Sequence, residues 1–197
     1  MMQIIHTEVI RAKKTKVTFE NGIECTCYSS EVRKFALYEE QEITEEAYEE
    51  LMKDYIEKRA KKKAMDLLIR SDKTEKELRD KLKREGFPEF VIDHVITFLN
   101  SYHYINEDRY LENYIRYHGK GKSRILLVQE LKKKGFDSEK IGHCLEEYYD
   151  EKEELKALIR KKAPDLETMP EREKEKLLKQ LYRKGFSISD IRKEISR

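Results

Sequence analysis

The 197-residue sequence has no tryptophan, only three cysteines and three prolines, and seven glycines. Cys25, Cys27 and Cys144 are too few and too unevenly placed for a disulfide framework, and the Cys-x-Cys pair lacks the companions of a zinc finger, so reduced thiols are expected. No apolar run reaches the roughly eighteen residues of a membrane span, and the N-terminus has no signal-peptide core, so no membrane partner and a cytoplasmic location are expected. With 38% hydrophobic and 42% charged residues, the apolar side chains must be spent on narrow helix faces rather than one broad core. Scarce proline and glycine among abundant Lys, Glu and Leu predict a mainly helical chain.

A formal net charge of +2 excludes a simple polycation. The charge is nevertheless uneven: residues 1–55 carry 7 basic and 12 acidic groups, residues 56–197 carry 35 and 28. An acidic N-terminal module followed by a basic helical body fits this division, although charge by itself identifies no partner.

Residues 3–11 and 15–28 have a β-rich pattern, and Asn21-Gly22, two residues that tolerate positive φ, predicts a hairpin between the second and third runs. A short helix is expected over Val32 to Leu37, and Thr44 is placed to cap a helix carrying Ala47, Leu51 and Tyr55 on one side. Beyond this head a repeat emerges. The segment 82–87, Leu-Lys-Arg-Glu-Gly-Phe, is echoed by Leu-Lys-Lys-Lys-Gly-Phe at 131–136 and Leu-Tyr-Arg-Lys-Gly-Phe at 181–186. Phe87, Phe136 and Phe186 are 49 and 50 positions apart.

The correspondence extends to Leu78, Leu127 and Leu177 before the glycine and to Ile92, Ile141 and Ile191 after it. Each leucine pair (Leu78 and Leu82, Leu127 and Leu131, Leu177 and Leu181) is four residues apart and shares a helix face. Gly86, Gly135 and Gly185 can then end the helix in the left-handed conformation. Pro88, Asp137 and Ser187 suit the start of the next helix. A preceding amphipathic helix completes each unit, over 57–70, 107–118 and 151–162. Thr74 with Glu77 forms a capping-box spacing that starts a helix over 75–85. The remaining helices are predicted over 88–101, 124–134, 138–149, 171–184 and 188–195.

The expected fold is therefore mainly α: three tandem three-helix repeats behind a small N-terminal β-rich and helical extension. The expected divisions are 1–55, 56–103, 104–150 and 151–197.

These Gly-Phe turns, read with Ile105-Asn106-Glu107-Asp108-Arg109-Tyr110, Tyr114, the basic glycine-containing loop and Glu130-Leu131-x-x-x-Gly135, resemble the RecX family of recombination regulators. The resemblance covers about residues 58–197. Leu111 stands where alanine is common in the family, and Glu107 where aspartate is usual. The resemblance implies a noncatalytic protein that binds RecA recombinase and its nucleoprotein filament. It implies modulation, with inhibition the expected sign, of homologous recombination and strand exchange, within DNA repair and the SOS response. A direct regulator that contacts single-stranded or double-stranded DNA and an unrelated helical-repeat scaffold are the alternatives.

The candidate partner-binding residues are Arg116, His118, Lys120, Lys122 and Arg124, on a loop that Gly119 and Gly121 are expected to relax, and Lys132, Lys133 and Lys134 beside the second Gly-Phe turn. Cations on such a path can spread over an acidic partner or over phosphates. A solvated loop would explain the same residues without any partner. Lys58, Arg59 and Lys61 to Lys63 read as a solvated helix face. The Gly-x-Gly at 119–121 lacks the longer phosphate-loop pattern and its strand-before-helix setting. His94 and His143 are equivalent in the first two repeats but Lys193 replaces them in the third, which suits a tolerant surface. No catalytic set, cofactor or metal is expected. Tyr110 and Tyr114 share a helix face and Cys144 lies beside Ile141 and Leu145, so packing is the expected role of all three.

Overall fold

The computed structural model describes residues 1–196. Its chain forms two compact units, Met1–Asn106 and the part from Glu107 onward.

The first unit opens with an antiparallel sheet of β1 (Met2–Arg11), β2 (Lys14–Phe19), β3 (Glu24–Tyr28) and β4 (Glu42–Ile43), in the order β3-β2-β1-β4. The β2–β3 turn forms where Asn21-Gly22 predicts it. The Asn21 side-chain oxygen accepts the Ile23 amide at 3.0 Å, and Gly22 takes φ +77°. Ile4, Val17, Phe19, Cys25 and Cys27 are buried against the helices.

Helix α1 covers Ser29–Lys34 rather than 32–37. Glu31 reaches back to the Tyr28 amide at 2.7 Å and fixes an earlier start, while Ala36 at φ +49° lies just beyond the end. Thr44 caps α2 (Glu45–Glu50) by accepting from the Ala47 amide. The helix then continues through a π-helical stretch, Leu51–Glu57, into α3 (Lys58–Arg70) without a break at position 56. Leu51 and Ile56, both fully buried, are five residues apart, the interval of a π turn. The wider turn keeps both in the core before Ala60 and Ala64 resume the four-residue spacing.

Helices α4 (Glu75–Arg84) and α5 (Glu89–Ser101) complete the first repeat. Thr74 and Glu77 form the predicted capping box, with reciprocal bonds of 3.1 and 3.2 Å. Sheet and helices share one core, in which Leu78, Leu82, Ile92, Val95 and Leu99 join the strand residues.

The second unit contains α6 (Glu107–His118), α7 (Arg124–Lys133) and α8 (Ser138–Tyr148), then α9 (Glu151–Lys162), a short 3-10 turn at Leu166–Thr168, α10 (Glu171–Arg183) and α11 (Ile188–Ile195). It holds two cores. Leu127, Leu131, Phe136, Ile141 and Leu145 close over Tyr110, Leu111 and Ile115 in one. Leu155, Ile159, Leu177, Leu181, Phe186 and Ile191 form the other. Burying each such side chain stabilises the fold by roughly 1.5–3 kcal/mol relative to exposure.

The three Gly-Phe turns share one hydrogen-bond pattern. Gly86, Gly135 and Gly185 adopt φ +83°, +104° and +85°. Their amides donate to Lys83, Lys132 and Tyr182, and the following phenylalanine amides donate to Leu82, Leu131 and Leu181. This is the Schellman arrangement, and it satisfies carbonyls that a helix end otherwise leaves without partners. Asp137 and Ser187 cap the next helices through the Lys140 and Asp190 amides, at 2.8 and 3.0 Å. Pro88 begins α5 without a side-chain cap.

Candidate partner-binding surface

The α6–α7 loop is pinned rather than relaxed. Gly119 is buried, and its amide donates to the Ile115 carbonyl at 2.9 Å. Gly121, at φ +67°, donates its amide to Glu154 at 2.9 Å, and the Arg124 amide donates to Glu151 at the same distance. The Tyr149 hydroxyl donates to the Lys122 carbonyl. Ser123 is fully buried: its amide donates to the Lys184 carbonyl at 3.3 Å, and its hydroxyl caps α7 by accepting from Leu126. A Cβ at Gly185 would lie 2.3 Å from the Ser123 hydroxyl oxygen, so this turn of the third repeat is shaped to receive the loop of the second.

The candidate cations fall into distinct settings. Arg116 pairs with Glu112 at 2.9 Å and lies over the Tyr148 ring. His118 packs against Tyr114, their ring centroids 4.7 Å apart. Lys122 pairs with Glu130 at 2.6 Å, and the Tyr114 hydroxyl donates to the same carboxylate at 2.9 Å. Burial opposes ionisation of Glu130, but Lys122 and Tyr114 outweigh it and hold the carboxyl below its usual range. Burial, and then the bond to Glu130, push the Tyr114 hydroxyl up to about 12.

The Arg124 guanidinium is 4.0 Å from Glu146. Lys134 lies over the Tyr110 and Tyr114 rings, which stack on each other. Lys120, Lys132 and Lys133 are exposed. Five of the eight candidates, Arg116, His118, Lys122, Arg124 and Lys134, thus also make local contacts, and Lys120 and Lys132 project their charge outward. Such fixed charges can recognise an acidic or phosphate-bearing partner without first ordering the backbone.

Three lysines of the basic run at the start of α3 are paired with acids, and Lys62 is exposed. Lys58 meets Asp54, Lys61 meets Glu57 and Lys63 meets Glu85, at 2.8, 2.7 and 3.0 Å. Arg59 departs from the expected solvated face: its guanidinium binds Glu31 and the Thr26 carbonyl and stacks on Tyr28. His94 and His143 are exposed, and Cys144 packs beside the second repeat's core with its thiol pushed up by burial. Among the described residues, no group of three or more His, Cys, Asp or Glu could hold a metal ion. No described helix is long and apolar enough to cross a membrane.

The contacts that Ser123 and its counterpart Thr26 make with the turn glycines carry no sequence signal. The Thr26 amide donates to the Gly86 carbonyl at 2.9 Å, and a Cβ at Gly86 would lie 1.9 Å from the Thr26 hydroxyl oxygen. The glycines predict helix ends, but what lies against them depends on tertiary packing.

A family model described as RecX, first three-helix domain, matches residues 60–99, and RecX, third three-helix domain, matches residues 150–195. The sequence is 32% identical over 195 residues to "Regulatory protein RecX" of Caldanaerobacter subterraneus subsp. tengcongensis, covering 96% of this chain and 98% of that one. The fold is similar to "Crystal structure of regulatory protein RecX", with TM-score 0.64, 21% identity and both chains covered completely. It is also similar to "Crystal structure of RecX from Lactobacillus salivarius", with TM-score 0.60 and 28% identity over 71% of this chain and 94% of that one. With matches to its first and third repeats and a relative aligned along almost its whole length, the chain belongs to the RecX family of regulatory proteins.

Proposed function

We propose that this chain is a noncatalytic regulator that binds RecA recombinase filaments and restrains homologous recombination and strand exchange. The observation that carries this reading is the similarity to a regulatory protein along 96% of the chain, spanning all three repeats. The repeats explain how such a regulator would work. Each approximately fifty-residue segment (56–103, 104–150 and 151–197) is a separate contact module, and a filament offers the same surface again at every subunit. Modest contacts on one chain then reinforce one another through effective concentration. Lys120 and Lys132 supply outward charge in the middle module, while Lys122 and Lys134 hold the aromatic and carboxylate framework beneath. The setting is the cytoplasm, during DNA repair and the SOS response.

The test compares binding to free recombinase, bare single-stranded DNA and assembled recombinase filaments, while filament growth and ATP turnover are followed. Preferential binding to filaments, with growth arrest and faster disassembly, is the expected result. Absence of filament binding by the folded protein refutes the reading, and filament stabilisation reverses its sign. Lys120→Glu/Lys132→Glu should weaken filament binding by roughly tenfold, on the order of 1.4 kcal/mol, with a shallower salt dependence. Unchanged affinity would move the contact away from the middle module.

A further inference from the structure

A groove of about 970 Å³ in the first unit lies apart from the loop described above. One wall is the β1–β2 hairpin with the start of β3, and the other is the end of α4 with the Gly86-Phe87 turn. Arg11, Lys14 and Lys16 line the first wall, and Lys81, Lys83 and Arg84 line the second. Three carboxylates, Glu24, Glu85 and Glu89, offset only part of that charge.

Lys16 meets Glu24 at 2.8 Å and Lys83 meets Glu89 at 3.5 Å. Lys14 and Lys81 share Glu85 with Lys63. The guanidiniums of Arg11 and Arg84, one on each wall, have no carboxylate partner among the described residues, and Arg84 donates only to the Asp80 carbonyl. Half-buried Ile23 and Phe90 also line the groove and offer apolar faces.

We propose that this groove binds a short run of single-stranded nucleic acid, its phosphates on the Arg11 and Arg84 walls and its bases against Ile23 and Phe90. Unpaired guanidiniums match phosphate oxygens in fork geometry, and an apolar or aromatic face accepts any base. A double helix keeps its base faces stacked inside and cannot use these apolar faces. An extended acidic peptide would gain most by pairing with the β3 edge, but the Thr26 amide on that edge is already committed to Gly86. The bond between Thr26 and Gly86 also ties the two walls together, so the groove is formed before any ligand arrives.

The test uses the full chain and a short fluorescent oligothymidylate, with anisotropy measured at several salt concentrations and no recombinase present, so its outcome is independent of the filament reading. Saturable binding is expected. Arg11→Glu/Arg84→Glu should weaken it at least roughly tenfold and reduce the salt slope by about 1.4, the loss of two phosphate contacts. Lys161→Glu/Lys193→Glu, the same charge change on exposed lysines outside the groove, should leave it unchanged. If charge reversal unfolds the protein, Arg11→Gln/Arg84→Gln decides the matter in the same direction. Absence of oligonucleotide binding at low salt, an unchanged affinity in the folded arginine variants, or equal binding of a duplex overturns the proposal. Equal, arginine-dependent binding of polyglutamate also overturns it and makes the groove a site for acidic peptides.

Discussion

Replacing Gly86 by alanine tests whether the Gly-Phe turn of the first repeat is a socket for the sheet as well as a helix end. The new Cβ would lie 1.9 Å from the Thr26 hydroxyl oxygen and 2.9 Å from its Cβ, on a backbone at φ +83°. Gly22→Ala is the control, because Gly22 has φ +77° and nothing lies within 4 Å of the place its methyl group would take. Both substitutions carry the left-handed conformational cost of about 1–2 kcal/mol. Only Gly86→Ala also forces β3 away from the turn and breaks the bond from the Thr26 amide to the Gly86 carbonyl, a further net loss of about 1 kcal/mol plus the lost packing.

The expected destabilisation is therefore about 3 kcal/mol at Gly86 and about half that at Gly22. Urea unfolding should show a midpoint shift of about 1–2 M for Gly86→Ala at a typical slope. Native-state hydrogen exchange should place the loss in β3. Thr26→Gly removes the two closest atoms, so combining it with Gly86→Ala should cost less than the sum of the single changes by about 1 kcal/mol. Equal effects at Gly86 and Gly22, with an additive double variant, would refute the socket.

Gly142 lies within α8 with open space where its Cβ would point, so Gly142→Ala should stabilise the second unit by about 0.8–1 kcal/mol and raise its melting temperature. Tyr114 gives a pH prediction. Its folded value is raised from 10 to about 12, so its contribution is complete below pH 10 and is lost as pH rises through about 12. Tyr114→Phe should flatten that alkaline loss in pH-dependent melting, with a remainder from Tyr149, whose hydroxyl burial also pushes up.

The helical body was readable because its signals are local. Leucines four apart, a glycine after the last turn and a capping residue at the next start all act within one or two turns, and the predicted helix limits differ from those observed by only a residue or so. Strand β4 was missed because two residues carry no periodic pattern, and Met2 and Gln3 recruit them from across the head. The π-helical stretch was hidden because Ala47, Leu51 and Tyr55 suit an unbroken α-helix, while burial of Ile56 requires the wider turn. The basic loop read as mobile because its anchors are remote in sequence: Glu154 bonds Gly121 across 33 positions, and Lys184 reaches the Gly121 carbonyl across 63. Glycine content signals freedom only where nothing arrives to hold it.

Thr26 meets Gly86 in the first unit much as Ser123 meets Gly185 in the second. A β-strand and an interhelical loop have thus converged on one plug, a small hydroxyl residue seated where the glycine has no side chain. The sheet thereby does for the first repeat what the loop of the second repeat does for the third. A glycine terminator of this shape therefore accepts either a strand or a helical repeat as its neighbour.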